Sequence, residues 1–114
     1  IYFLVTETRF SAFHRLQTEE IWHFYTGSPL TIDMILPDGS AQQILLGNEP
    51  EAGQSFQAVV PPNCWFAASV SEGYSLCGCT MAPGFDFADF ELASATQLLE
   101  AYPLHAKMIE RLTY

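Results

Sequence analysis

What most constrains this chain is its rhythm: short apolar or alternating runs, each closed by a turn signal. The runs are residues 1–6, 9–16, 20–26, 30–36, 42–46, 55–60, 64–70 and 74–81. Gly27-Ser28-Pro29, Pro37-Asp38-Gly39, Pro61-Pro62-Asn63 and Ser71-Glu72-Gly73 punctuate them. Runs this short, rich in Phe, Ile, Val and Tyr, predict β-strands at regular spacing and hence a sandwich or barrel. Residues 30–36 and 42–46 are expected to pair as a hairpin across Pro37-Asp38-Gly39, and residues 64–70 and 74–81 as another. After Pro83-Gly84 the character changes. Residues 92–101 read as a helix, Pro103 breaks it, and residues 105–112 read as a second short one. The expected architecture is a single all-β domain over 1–114, with a barrel over about 1–81 and a C-terminal helical segment over about 86–112.

Composition narrows the partners. The formal charge is −9, from 13 acids against only Arg9, Arg15, Lys107 and Arg111. Replacing the counterions of a polyanion takes clustered cations, so neither nucleic acid nor an anionic membrane is an expected partner. Nine Phe, five Tyr and two Trp must be hidden in a core, a pocket or a subunit contact. No apolar run approaches membrane-spanning length and no signal peptide is visible. Of the three cysteines, Cys77 and Cys79 lie two apart in a strand-like run, where they share a face and are badly placed to bridge. Buried thiols in a reducing, cytoplasmic setting are expected. The chain opens on Ile1-Tyr2-Phe3-Leu4-Val5, which reads as the inside of a strand, so it is expected to begin within an element.

One stretch gathers the chemistry: His14, Arg15, Glu19, Glu20, Trp22, His23 and Tyr25. With residues 9–16 and 20–26 taken as adjacent antiparallel strands, parity sorts them. His14 and Leu16 share one face, and Glu20, Trp22 and Phe24 share one face of the next strand. His23 and Tyr25 point the other way unless a bulge re-aims them. The parity predicts a His14–Glu20 pair inside a barrel walled by Trp22 and Phe24. Glu20 there would bind a metal, or hold His14 in one tautomer for acid–base work.

Glu20 followed six residues later by Gly27 matches the second half of the first cupin motif, and His14 stands where that motif's first histidine belongs. Gly53, Val59-Val60-Pro61 and Pro61-Pro62-Asn63 echo the second motif. The phrases SAFHRLQTEEIWHFYTG, VVPPNCWFAA and CTMAPGFDFADFELA, in order, resemble the fifth cupin family across essentially the whole chain. The resemblance implies a cupin-type jelly-roll β-barrel (double-stranded β-helix) with one or two short C-terminal helices, a pocket in the barrel and a homodimer. It also implies an upstream stretch with a His-Pro-Glu-Gly-Gly-like phrase, which does not precede IYFL here. Metal-binding cupins use three His and one Glu. Leu16 occupies the second His position and Phe66 the position of the second motif's His, leaving His14 and Glu20 as the only ligands of that set. Open catalytic metal sites keep at least three protein ligands, so a metal is disfavoured and the cofactor is unknown.

The expected function is the binding of a small polar molecule by His14, Glu20, Trp22, Phe24 and Phe66. The resemblance extends to the sugar-nucleotide epimerase branch and implies metal-free isomerase-like chemistry, with His14 as base, Glu20 beside it, and Tyr25 or Tyr74 as acid. The alternatives are a metal-dependent oxygenase or lyase using His14 and Glu20, and a binding or storage module without chemistry. Against these stand blander readings. Trp22, Phe24 and Trp65 also suit a core, and His105 suits the surface. Asp86, Asp89 and Glu91 suit the start of the C-terminal helix, with Phe85, Phe87 and Phe90 as anchors.

Overall fold

The computed structural model describes residues 1–114. Nine strands and two short helices follow one another: β1 (Tyr2–Thr6), β2 (Ser11–Arg15), β3 (Glu20–Gly27), β4 (Leu30–Ile35), β5 (Ala41–Leu46), β6 (Gln57–Val60), β7 (Trp65–Ser69), β8 (Tyr74–Met81), β9 (Glu91–Leu92), α1 (Ala95–Ala101) and α2 (Ala106–Arg111). They form two antiparallel sheets, one in the order β1-β8-β3-β6 and the other β5-β4-β7-β2-β9. Apart from the β4–β5 hairpin, consecutive strands alternate between the sheets in a jelly-roll barrel, the fold class expected.

The β4–β5 hairpin forms as expected, with Leu30 opposite Leu46 and Ile35 opposite Ala41. Its turn holds Gly39 at φ +87, and Asp38 Oδ1 accepts hydrogen bonds from the Ser40 backbone N–H (2.9 Å) and Oγ (2.6 Å). The other expected hairpin does not form. β7 pairs with β2 and β4, whereas β8 pairs with β1 and β3. The Ser71-Glu72-Gly73 turn therefore carries the chain across to the facing sheet. Each strand has one apolar face, and stacking the faces buries both. The pairing expected of β2 with β3 is absent for the same reason: the two strands face each other across the barrel.

The interior between the sheets is filled by residues such as Trp22, Ile32, Met34, Phe66 and Cys77. A second core lies outside the five-stranded sheet, where Phe13, Ile35 and Ala67 meet Leu98, Ile109 and Leu112 of the C-terminal segment. Alternation along β2 creates both: Ala12 and His14 turn inward, and Phe13 turns out to the helices. Backbone bonds Phe13 N–H to Leu112 O and Ala93 N–H to Phe13 O, both 2.9 Å, tie the segment down. His105 is half-buried rather than at the surface, with Nε2 3.0 Å from the Gly39 carbonyl. Arg111 approaches the buried Asp33 at 3.7 Å.

The helix read over 92–101 begins only at Ala95. Glu91 and Leu92 instead add an edge strand to β2, and Ser94 Oγ caps the helix by accepting from Gln97 N–H at 3.4 Å. Phe13→Ala removes the ring on which both helices rest. It is expected to cost about 3–5 kcal/mol in urea unfolding, whereas a loss below about 1 kcal/mol would mean that the helices do not depend on this core.

Candidate functional site

A cavity of about 490 Å³ opens between the sheets and is lined by 14 residues, 11 of them apolar. Volumes of this order hold small molecules. β2 contributes Ala12 and His14, β3 Glu20 and Trp22, β1 Phe3 and β8 Cys79. His14 and Glu20 both line this cavity, from strands of opposite sheets, and no hydrogen bond joins them.

His14 is held in one form. Its Nδ1 lies 2.8 Å from the Ala12 carbonyl, which can only accept, so Nδ1 carries the proton. Burial pushes the imidazole pKa below the ordinary 6.5, against the raising effect of that same bond. The neutral ring therefore keeps the Nε2 lone pair free. Phe66 packs against it at 4.1 Å and Phe90 at 5.5 Å between ring centroids.

Glu20 is only 9% exposed, and burial pushes its pKa above the ordinary carboxylate value. The nearby Trp22 indole N–H pulls the other way. The indole lies near the carboxyl but makes no hydrogen bond of good geometry, so Trp22 Nε1 is buried and unpartnered. Cys79 joins the same wall. Its thiol is pushed far up by burial first and by the Glu20 charge next, while Cys64, elsewhere in the core, is raised to about 11.

Two expected lining residues stand off the wall. Phe66 backs the His14 ring, and Phe24 packs against the main core. His23 and Tyr25 point outward as parity requires. His23 Nε2 lies 3.0 Å from Thr80 Oγ1, and the Tyr25 ring lies where a Cβ at position 78 would be, which restricts that position to Gly78. The bulge does occur, between Phe24 and Thr26, too late to re-aim His23. Tyr25 and Tyr74 are both outside the cavity, 53% and 47% exposed. Phe10, Phe85, Phe90, Leu92 and Tyr114 were not expected on the wall. Phe87 is 80% exposed and lies outside the cavity, its ring edge-on to Phe85 at 4.9 Å. Asp86 accepts from Ala88 N–H at 2.9 Å, and Glu91 pairs bidentately with Arg15 at 2.9 and 3.0 Å, so these acids serve local structure.

Residues 1–93 match the family described as Cupin superfamily (DUF985), the fifth cupin family. The chain belongs to this family. Two solved structures share the fold at a TM-score of 0.95. Protein SO0799 from Shewanella oneidensis is 42% identical, with 99% of this chain and 72% of that one covered. A hypothetical protein from Leishmania major is 35% identical, with 99% and 74% covered. No match is found among curated proteins.

The donor set does not fit the metal of the metal-binding cupins. No three His, Cys, Asp or Glu side chains come together, and Leu16 and Phe66 fill the two missing His positions with buried hydrocarbon. No helix is long and apolar enough to cross a membrane.

The buried Glu20 has a consequence for stability. Its native pKa lies above the unfolded value, so the native state binds more protons between the two values and stability falls as pH rises through that window. His14 acts with the other sign: its native pKa is low, and stability falls as pH drops through 6.5. In urea unfolding across this range, Glu20→Gln is expected to gain stability relative to the native sequence as pH rises, then level off. Parallel curves at every pH would show that Glu20 is not desolvated.

Proposed function

We propose that this cupin holds a small, mostly apolar molecule in the barrel cavity, with His14, Glu20 and Trp22 as its polar end. The observation that carries the reading is the buried Trp22 Nε1–H, without a hydrogen bond of good geometry, near the Glu20 carboxyl on the wall of an apolar cavity. Buried polar groups without partners are costly, and a ligand that bonds them removes the cost. No Lys or Arg lines the cavity. A phosphorylated ligand such as a sugar nucleotide would therefore lack a counter-charge.

A second reading rests on the fixed tautomer of His14: with Nε2 free, the ring is a base for metal-independent proton transfer. Tyr25 and Tyr74 cannot supply the acid from the outer surface. Tyr114, the only tyrosine on the wall, donates its hydroxyl to the Phe10 carbonyl at 2.9 Å. The partner chain proposed is a second copy. It would cover the outer face of the four-stranded sheet, where Tyr2, Leu4, Tyr25 and Val59 lie exposed without the helices that cover the other sheet. Three free, buried thiols suit a reducing compartment such as the cytoplasm.

Ligand-observed NMR with small aromatic fragments tests the pocket. Binding is expected, and Leu92→Trp at the exposed mouth should weaken it by about tenfold or more. Fragment binding indifferent to that substitution would sink the assignment. Sedimentation is expected to give a dimer that Leu4→Lys returns to monomer; a monomeric native protein would refute the second copy.

A further inference from the structure

The ligand of this pocket, if the pocket reading above holds, can be given a chemical class. We propose that it is an organic cation, a substituted ammonium seated among aromatic rings with Glu20 as its counter-ion.

Six of the lining side chains are aromatic, and they stand in three touching pairs: Phe3 with Trp22 at 5.5 Å, Phe10 with Tyr114 at 5.1 Å and Phe85 with Phe90 at 6.1 Å. Ring faces attract cations within about 6 Å, most strongly where water is excluded. Glu20 is the only side-chain carboxylate on the wall. Buried charges are normally paired, yet no protein side chain pairs this one. Arg15, the cation nearest in sequence, is turned outward to Glu91 and lies over Trp65 at 4.4 Å. A neutral ligand could at most hydrogen-bond the carboxylate and an anionic one would be repelled by it; a cation would balance its charge. His14 completes the arrangement: its neutral ring adds no positive charge, and its free Nε2 can accept an ammonium N–H. The overall charge of −9 attracts cations to the molecule.

Three matched probes separate the possibilities: phenethylammonium, 2-phenylethanol and phenylacetate, titrated by calorimetry. Phenethylammonium is expected to bind at least about tenfold more tightly than the alcohol, with phenylacetate weakest. Glu20→Gln should erase the advantage of the cation over 2-phenylethanol. The titratable and polar groups that share the wall with Glu20 are His14 from β2, Cys79 from β8 and the Trp22 N–H. As pH falls toward 4.5, Glu20 takes up its proton earlier than an ordinary carboxylate would, so cation affinity should fall more steeply than that of the alcohol. If the alcohol binds as tightly as the cation in a manner sensitive to Leu92→Trp, the cation proposal is overturned and the pocket stands. A cation preference that survives in Glu20→Gln overturns the proposal too. If none of the three binds, the pocket reading falls with it.

Discussion

Strand β2 has two faces, and the rest of the molecule depends on both. Ala12 and His14 look into the barrel, while Phe13 looks out at Leu98, Ile109 and Leu112. One rigid element therefore holds the imidazole in place from behind. The strand is pinned to β7 on one side and β9 on the other, and its central residue bonds the chain just before α1 and just after α2. The orientation of His14 is set locally, by the Ala12 carbonyl two residues away and by the Phe66 ring packed against it. A side chain fixed by its own strand and by a packed neighbour loses little entropy on meeting a ligand.

The same desolvation acts on both titratable groups with opposite signs. Burial keeps His14 neutral and makes ionised Glu20 costly. The two do not neutralise each other in the manner of an ion pair. They leave a cavity with one free lone pair, one strained carboxylate and one idle indole N–H. Such a set is poorly suited to stabilising the empty protein and well suited to a ligand.

Parity carried most of what was legible in the sequence. Alternation placed His14, Glu20 and Trp22 inward and His23 and Tyr25 outward, because strand side chains must alternate whatever the strand's neighbours are. It could not say which strands are neighbours. In β2 and β3, and again in β7 and β8, short turns looked like hairpins, yet inward-facing apolar faces are buried as well by stacking as by pairing. Phe24 was misjudged for a related reason. It shares the face of Glu20 and Trp22, but the cavity occupies only one end of that face, and packed core fills the rest. Phe85, Phe90, Leu92 and Tyr114 lie far from His14 in sequence and reach the cavity only because the C-terminal segment folds back along the barrel. No local pattern encodes that return. The short strand Glu91–Leu92 was lost in a helix-like composition, since two residues pairing with an edge leave no period to read.

Leu16 and Phe66 show how one change of residue type can alter a site twice. At these positions the metal-binding cupins place histidines, and hydrocarbon there removes two donors. It also adds wall: Leu16 lines the cavity, and Phe66 fills the space between His14 and Trp22, at 4.1 and 6.4 Å from their rings. The dielectric around Glu20 falls as a result, and with it the capacity of the site to keep an unpaired charge. Apolar side chains at these two positions therefore also raise the cost of the carboxylate at Glu20. The physical problem such a site poses to a ligand is to satisfy Glu20, and ligands can be ranked by how well they do so.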